Sequence, residues 1–221
     1  MIEVFIFDVD GTLLDSNDFH PEAWQKVFKE YGKEIAFEKI RPQIGKGADT
    51  LLPEFLTERE IEEFGEKMGE RRGEIFKEEY LPRVKPFPKV RELFQKIKAD
   101  GKRIALASSA TESEVEEYKK AANVADLVEK ATSADDAEAS KPEPDIFQAA
   151  LKILGNPPLE TVLVIGDTPY DAEAATKAKL KIVGVLCGGF EEKELREKGC
   201  TAIYLNPADL LEKYQKLIST E

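Results

Sequence analysis

Two aspartates follow the most apolar strand-like segment of this sequence. In VFIFDVDGT, residues 4–12, apolar residues lead directly into Asp8 and Asp10. Because the two carboxylates are two residues apart, an extended chain points both in the same direction. Such a pair can bind a cation, although the same residues could simply end a strand and begin a turn at Gly11.

Further polar residues follow other strand-like segments. Ser108 follows RIALA, and Asp167 follows VLVIG with Asp171 four positions later. Lys141 precedes a helix start marked by Pro-Glu-Pro at 142–144. If the strands are parallel neighbours, their carboxyl ends converge at the edge where open α/β sheets bind ligands. The expected site combines carboxylates, a hydroxyl and a lysine.

The carboxylates of this set predict a magnesium site. Asp8, Asp10 and Asp167 would repel one another unless a cation lay between them. Oxygen ligands select a hard ion, Mg²⁺ above all, which retains several waters and favours phosphate. Asp171 also has a purely structural explanation, because it occupies the capping-box position of a helix that begins after Thr168.

The hydroxyl and ammonium groups of this set predict an anion site. Ser108 is free to donate, because Thr111 and Glu114 already form a capping-box pattern for the next helix. Ser109, one residue further from the strand, is the alternative donor. Most loop lysines are merely solvated, so Lys141 is informative only because it lies near a helix N-terminus, which itself attracts anions.

The elements that must position these residues alternate along the second part of the chain. The patterns predict a first strand at 2–7, later strands at 103–107, 161–165, 181–186 and 202–205, and helices at 88–100, 111–122, 143–154, 169–178, 191–198 and 207–218. This alternation indicates an α/β fold, a Rossmann-like parallel sheet covered on both faces. We expect the first strand to join that sheet.

The region between the first strand and the proline-rich segment 81–90 differs from the rest. Apolar residues recur at helical spacing over 21–31 and 61–75, and no convincing strand occurs over 33–80. Three prolines in ten residues make 81–90 a linker. We therefore predict a helical insert, residues 16–82.

Composition limits the ligands that the chain can bind. The 221 residues suffice for one core domain with a small insert. The 44 acidic and 32 basic residues give a net charge of −12, which disfavours nucleic acid as a partner. A small phosphorylated metabolite stays open as a partner, because exposed charges are screened beyond roughly 8 Å at physiological salt.

The sequence also predicts the compartment. No apolar run is long enough to span a bilayer, and the first residues lack the basic-then-apolar pattern of a signal peptide. We expect a cytoplasmic protein with no membrane partner. Cys187 and Cys200, the two cysteines, fit reduced thiols better than a disulfide framework.

Four segments resemble, in order, the four motifs of the haloacid dehalogenase superfamily. They are DVDGT at 8–12, Ser108 after an apolar strand, Lys141 in SKPEPDIF, and GDTPYD at 166–171. The resemblance runs from residue 4 to about residue 186. The helical insert resembles the small helical cap of subclass I members, in the group that contains phosphatases and beta-phosphoglucomutase-like enzymes.

The resemblance implies a role for each site residue. Asp8 would be the nucleophile that forms an aspartyl-phosphate, and Asp10 would act first as general acid and then as general base. Ser108, or Ser109, and Lys141 would bind the transferring phosphoryl group.

The resemblance also implies how the cofactor Mg²⁺ is bound. The carboxylates of Asp8 and Asp167 and the backbone carbonyl of Asp10 would be its ligands, with Asp171 supporting the site from close by.

The resemblance further predicts a two-domain chain. Residues 1–15 and 83–221 would form the core, and residues 16–82 the cap, with hinges at 13–18 and 81–88. We expect the cap to close over the site and exclude water. Plausible substrate contacts in the cap are His20, Arg41, Lys46 and Asp49.

The favoured function is a Mg²⁺-dependent phosphatase for a small phosphate monoester. One alternative is a sugar phosphomutase of the beta-phosphoglucomutase type, since His20 lies where such mutases carry a hinge histidine. Those mutases often have Glu at the position of Gly166, which favours the hydrolase. A non-catalytic phosphate-binding protein is less consistent with the intact acidic residues.

Other relatives fit less well. Dehalogenases lack an aspartate at the position of Asp10. A phosphonate-cleaving enzyme would need a Schiff-base lysine, and Lys46 between glycines has no evident means of lowering its pKa. The sequence does not rank sugar phosphates against phosphoglycolate as substrates. It is equally compatible with a monomer and with a weak homodimer.

Overall fold

The computed structural model describes residues 1–219, and its centre is a parallel sheet. The sheet has six strands in the order β5-β4-β1-β6-β7-β8, all parallel, and β2 and β3 form a separate antiparallel pair. The strands are Val4–Phe7 (β1), Leu14–Asp15 (β2), Lys85–Pro86 (β3), Arg103–Ala107 (β4), Lys130–Thr132 (β5), Val162–Gly166 (β6), Lys181–Val185 (β7) and Ala202–Tyr204 (β8). The predicted fold class is confirmed.

Eleven α-helices occur in the described residues. They are Phe19–Glu30 (α1), Phe37–Ile40 (α2), Ala48–Leu51 (α3), Glu58–Ile75 (α4), Val90–Ala99 (α5), Glu112–Ala121 (α6), Asp145–Ile153 (α7), Pro169–Lys177 (α8), Glu192–Glu197 (α9), Pro207–Glu212 (α10) and Tyr214–Ile218 (α11). A π-helical turn, Phe76–Tyr80, continues α4. No strand occurs between residues 33 and 80, as predicted.

Most predicted elements agree with the structure to within two or three residues, and three details are wrong. The helix predicted at 207–218 is two helices, because Lys213 leaves helical geometry with φ −97° and ψ 20°. Strand β5 was missed, since its three residues Lys-Ala-Thr carry no apolar pattern. The predicted linker contains β3, whose pairing with β2 holds the two chain connections of the helical insert side by side.

Strand β1 is central because it is apolar on both faces. Phe5 and Phe7 face the layer that contains α5, α10 and α11, whereas Val4 and Ile6 face α7 and α8. The ring centroids of Phe7 and Phe94 lie 4.8 Å apart. Complete burial of each such side chain contributes roughly 1.5–3 kcal/mol to folding, so β1 with its acidic end is held firmly between β4 and β6.

The helical insert has its own apolar contacts. Trp24 and Phe28 of α1 are buried, and the rings of Tyr31 and Phe64 lie 5.0 Å apart. Helix α4 begins with a capping box, in which the Thr57 hydroxyl accepts from the Glu60 amide and the Glu60 carboxylate accepts from the Thr57 amide. Packing of α1 against α4 therefore builds a compact block above the sheet edge.

Both cysteines are free thiols, as the composition suggested. Among the described residues, no helix combines the length and the apolar character needed to cross a membrane.

Candidate active site

Three carboxylates meet at the carboxyl ends of β1 and β6. Oxygens of Asp8, Asp167 and Asp171 all lie within 4.8 Å of one another, and all three residues are buried. Asp8 directly follows β1, and its amide donates to the Ile165 carbonyl of β6 at 2.9 Å. The predicted convergence of strand ends therefore brings these residues together.

Lys141 is the positive charge of this cluster. Its ammonium lies 2.6 Å from Asp8 Oδ1 and 2.7 Å from Asp171 Oδ1, and it donates to the Ala107 carbonyl at 3.1 Å. Burial alone would lower the pKa of Lys141, but the charges of Asp171 and Asp8 outweigh burial and raise it. Lys141 is 1% exposed, so it is not an ordinary solvated loop lysine.

The charge balance of the cluster fits a divalent cation. Three carboxylates and one ammonium carry a net charge of −2 when all are ionised. Burial first, and then the charge of Asp171, raise the pKa of Asp8 well above its ordinary range and that of Asp167 to about 7. The ionised cluster is thus short of positive charge, and its all-oxygen donor set suits a hard divalent ion.

Hydrogen bonds orient the two aspartates of the last motif. Thr12 donates to Asp167 Oδ1 at 2.9 Å, and the Asn17 amide donates to Oδ2 at 2.7 Å. Asp171 Oδ2 accepts from the Thr168 amide at 3.1 Å and hydroxyl at 2.7 Å, which confirms the predicted capping box. Asp171 thus caps α8 with one oxygen and pairs with Lys141 through the other.

The Asp10 side chain is not part of the cluster formed by Asp8, Asp167 and Asp171. Its Oδ1 accepts from the Ser16 hydroxyl at 2.5 Å and lies 2.9 Å from Nε2 of the buried His20. Burial would raise the pKa of Asp10, but the charge and hydrogen bond of His20, the hydrogen bond of Ser16 and the charge of Arg72 together lower it. The backbone carbonyl of Asp10 as a metal ligand stays a prediction.

A small cavity of about 60 Å³ opens above Asp8 and Asp10. Ser108 and Ser109 both line it. Ser108 is buried and its hydroxyl accepts from the Ala110 amide at 3.1 Å, whereas the Ser109 hydroxyl donates to the Gly45 carbonyl of the helical insert at 3.4 Å. Both predicted hydroxyls therefore reach the cavity.

The helical insert places only two of the four suggested substrate contacts at the cavity. His20 and Lys46 line it, and Lys46 is half-buried and binds Glu54 at 2.8 Å. Arg41 pairs with Asp18, and Asp49 accepts from the Ser140 amide at 3.1 Å, so both contact other parts of the protein.

Among the cavity residues that sequence reasoning missed are two large side chains, Arg72 and Trp24. Arg72 of α4 donates to Glu114 at 3.0 Å and lies over the Trp24 ring at 5.9 Å. Its Nε is buried and has no hydrogen-bond partner among the described residues. A signal was available, since Arg72 follows the buried Met68 by four positions and thus interrupts the apolar face of α4.

Fold and site together define an α/β protein with a buried acidic, lysine-containing site at the carboxyl ends of its parallel strands. A family model described as haloacid dehalogenase-like hydrolase matches residues 5–185. The chain belongs to this family, as its four motifs indicated.

Two curated relatives show how far the similarity extends. Phosphoglycolate phosphatase of Aquifex aeolicus is 30% identical over 85% of this chain and 86% of its own length. Protein SUPPRESSOR OF QUENCHING 1, chloroplastic, of Arabidopsis thaliana is 35% identical over 83% of this chain, but the match spans only 18% of that protein.

A solved structure confirms the architecture. The crystal structure of a hydrolase from Pseudomonas syringae superimposes with a TM-score of 0.86 and 29% identity, covering 98% of this chain and 100% of that one.

Proposed function

We propose that the protein is a Mg²⁺-dependent phosphatase that hydrolyses a small phosphate monoester through an aspartyl-phosphate on Asp8. The observation that carries this proposal is the carboxylate of Asp8, paired with Lys141 and facing Asp167 and Asp171 at the sheet edge. The phosphatase name of the Aquifex aeolicus relative supports it.

In the first half-reaction, a carboxylate oxygen of Asp8 attacks phosphorus and the bond to the leaving oxygen breaks. Asp10 donates a proton to that oxygen, so the product leaves as an alcohol. The low pKa of Asp10 makes it a carboxylate before substrate binds. A phosphate dianion beside it adds negative charge and raises the carboxyl pKa, so Asp10 takes up a proton from solvent as the substrate binds and then donates it.

In the second half-reaction, the Asp10 carboxylate takes a proton from water. The water oxygen bonds to phosphorus, the bond between phosphorus and Asp8 breaks, and inorganic phosphate leaves. His20 and Ser16 hold one Asp10 oxygen throughout, so the same carboxyl group is placed for both proton transfers.

The remaining residues neutralise charge. Asp8, Asp167, Asp171 and the Asp10 carbonyl would hold Mg²⁺, which supplies positive charge against the phosphate oxygens when bound. Lys141 and the hydroxyl of Ser108, with Ser109 as the alternative, would bind the transferring phosphoryl group.

The cavity suggests a small substrate. Its volume is about 60 Å³. The buried Nε of Arg72 would donate to an oxygen of the leaving group, because a buried donor without a partner is costly. Phosphoglycolate and small sugar phosphates both carry such oxygens.

The helical insert would act as the cap of a two-domain chain, with residues 1–15 and 83–221 as the core and 16–82 as the cap. The paired strands β2 and β3 lie within the proposed hinges, 13–18 and 81–88. The cytoplasmic location and a monomeric or weakly dimeric state stay predictions.

The mutase alternative has a structural argument against it at Gly166. A Cβ atom at this position would lie 2.6 Å from Cβ of Asp171. The acidic side chain that beta-phosphoglucomutase-like enzymes often carry there would therefore displace Asp171, which favours the hydrolase.

The test is phosphate release from a panel of small phosphate esters. We expect release that requires Mg²⁺ and is lost in Asp8→Asn, whereas Asp15→Asn, an exposed aspartate outside the site, retains it. Acid quenching during turnover should leave the added mass of one HPO₃ on the peptide that contains Asp8. Conversion of beta-glucose 1-phosphate into an isomer without phosphate release would instead support the mutase.

A further inference from the structure

Asn17 is a buried amide between the carboxylate cluster and a neighbouring loop. It is 4% exposed, and its Nδ2 donates to Asp167 Oδ2 at 2.7 Å and to the Gly188 carbonyl at 2.9 Å. Its Oδ1 is buried and has no hydrogen-bond partner among the described residues. The amide group thus uses both of its donor hydrogens to join Asp167 to the loop that follows β7. Its acceptor, Oδ1, is left unpaired next to the proposed metal site.

The loop after β7 presses directly on Asp167. A Cβ atom at Gly188 would overlap the Asp167 carboxylate, so only glycine allows this approach. A Cβ atom at Gly11 would likewise overlap Asn17 and Asp167. The Asp167 carboxylate is therefore enclosed by backbone, and its orientation depends on where this loop lies.

Arg41 of the helical insert binds the same loop. Its Nη2 donates to the Gly188 carbonyl, the atom that also accepts from Asn17. Its Nε binds Asp18, the neighbour of Asn17 in sequence, at 2.6 Å, and its guanidinium lies 5.3 Å from the Phe190 ring centroid. Arg41 thereby ties together the two chain segments that enclose Asp167.

We propose that Asn17 is a positioning residue for the metal ligand Asp167, and that Arg41 secures it, so that seating of the helical insert strengthens divalent-metal binding. This inference rests on the metal site of the proposed function. Residues that orient a metal ligand through hydrogen bonds typically change metal affinity by 10–100-fold when they are replaced. Because coupling is reciprocal, bound metal also strengthens the seating of the helical insert.

The test measures Mg²⁺ affinity of the full chain by calorimetry, with no substrate present. We expect Asn17→Ala to weaken binding by about 10-fold or more and Arg41→Ala by a smaller factor of at least about 3, although Arg41 touches no proposed metal ligand. The double variant should bind no more weakly than Asn17→Ala by itself, since both act through one chain of contacts.

Tyr170→Phe is the matched control. The Tyr170 hydroxyl donates to the Pro42 carbonyl at 2.7 Å, another bond between the core and the helical insert, next to Arg41 but not through Gly188. Its loss should change Mg²⁺ affinity by less than about 2-fold, because it reaches Asp167 by no shared contact. Equal weakening by Tyr170→Phe and Arg41→Ala would overturn the specific route through Gly188.

Two further outcomes separate this inference from the proposed function. Unchanged Mg²⁺ affinity in both Arg41→Ala and Asn17→Ala, with normal binding by the wild type, would overturn the inference and leave the phosphatase proposal intact. Absence of Mg²⁺ binding by the wild type would overturn both. If Asn17→Ala fails to fold, Arg41→Ala decides the question, because Arg41 is only partly buried.

Discussion

The ammonium of Lys141 lies 2.6 Å from Asp8 Oδ1, in a pair that solvent hardly reaches. The pair joins the loop before α7 to the end of β1, across 133 residues of sequence. Asp171 binds the same ammonium at 2.7 Å. One lysine therefore balances two of the three buried carboxylates, and its removal would leave an acidic cluster with no positive charge.

Lys141→Met should both inactivate and destabilise the protein. Breaking a buried pair by removing one partner typically costs about 3–5 kcal/mol, because the other charge is left uncompensated. Urea unfolding at neutral pH without metal would measure this loss. Lys141→Arg retains the charge and should therefore lose less stability than Lys141→Met. In Lys141→Met/Asp8→Asn the cost should be smaller than the sum of the two single changes, and strict additivity would contradict the pairing.

The sequence predicted the sheet and the meeting of Asp8 and Asp167 at its edge, because both depend on local patterns. Strand ends are visible as apolar runs that stop at Asp8 or Asp167, and parallel topology brings those ends together. The roles of Arg72 and Asn17 depend on contacts between the helical insert and the core. Their partners, Glu114 and Gly188, are 42 and 171 residues away, a separation that no local pattern encodes.

Mg²⁺ should stabilise the wild type and have no such effect on Asp167→Asn. A ligand present at 100 times its dissociation constant stabilises the folded state by about 2.7 kcal/mol. Thermal unfolding with Mg²⁺ and with EDTA measures the difference, and Asp15→Asn should respond like the wild type. A Mg²⁺-dependent rise in Tm that survives in Asp167→Asn would contradict the proposed ligand set.

Asp167 should also make metal-free stability depend on pH. Burial and the charge of Asp171 raise its pKa from 3.8 to about 7 in the folded state. A raised folded pKa gives stability that is complete below pH 3.8 and is lost as pH rises through about 7. Without metal, Asp167→Asn should therefore gain stability relative to the wild type between about pH 5 and pH 8. Urea unfolding of both proteins with EDTA across that range measures how the free energy of unfolding changes with pH. An equal pH dependence in the wild type and Asp167→Asn would refute the assignment to Asp167.

Ser108 and Ser109 offer a comparison between neighbouring hydroxyls. Ser108 is buried and lines the cavity, whereas Ser109 already donates to the Gly45 carbonyl. Loss of one donor to a transferring group typically lowers kcat by about 10²–10³-fold. We expect Ser108→Ala to show such a loss in phosphate release and Ser109→Ala to lose less than about 10-fold. The reverse order would assign phosphoryl binding to Ser109.

Arg72, which is partly buried, and the buried Glu114 form an ion pair between the helical insert and the core, at 3.0 Å. Burial opposes ionisation of Glu114, but the charge of Arg72 and hydrogen bonds from Thr111 outweigh it and lower the pKa of Glu114. A lowered folded pKa gives stability that is present above the ordinary value of 4.5 and is lost as pH falls below it. The pair should therefore stabilise the folded protein at neutral pH and lose this effect in acid.

Glu114→Gln tests this linkage while retaining a side chain that can complete the capping box with Thr111. We expect a loss of about 2–4 kcal/mol at pH 7, because Arg72 then lacks its buried counter-charge. The difference from the wild type should shrink as pH falls below about 4.5, since protonated glutamic acid and glutamine are both neutral. Urea unfolding at several pH values measures this difference.

Glu112→Gln, at an exposed position in the first turn of the same helix, should change stability by less than about 1 kcal/mol at every pH. A difference that stays constant from pH 7 to pH 4 would show that packing of Glu114, rather than its charge, holds the helical insert against the core.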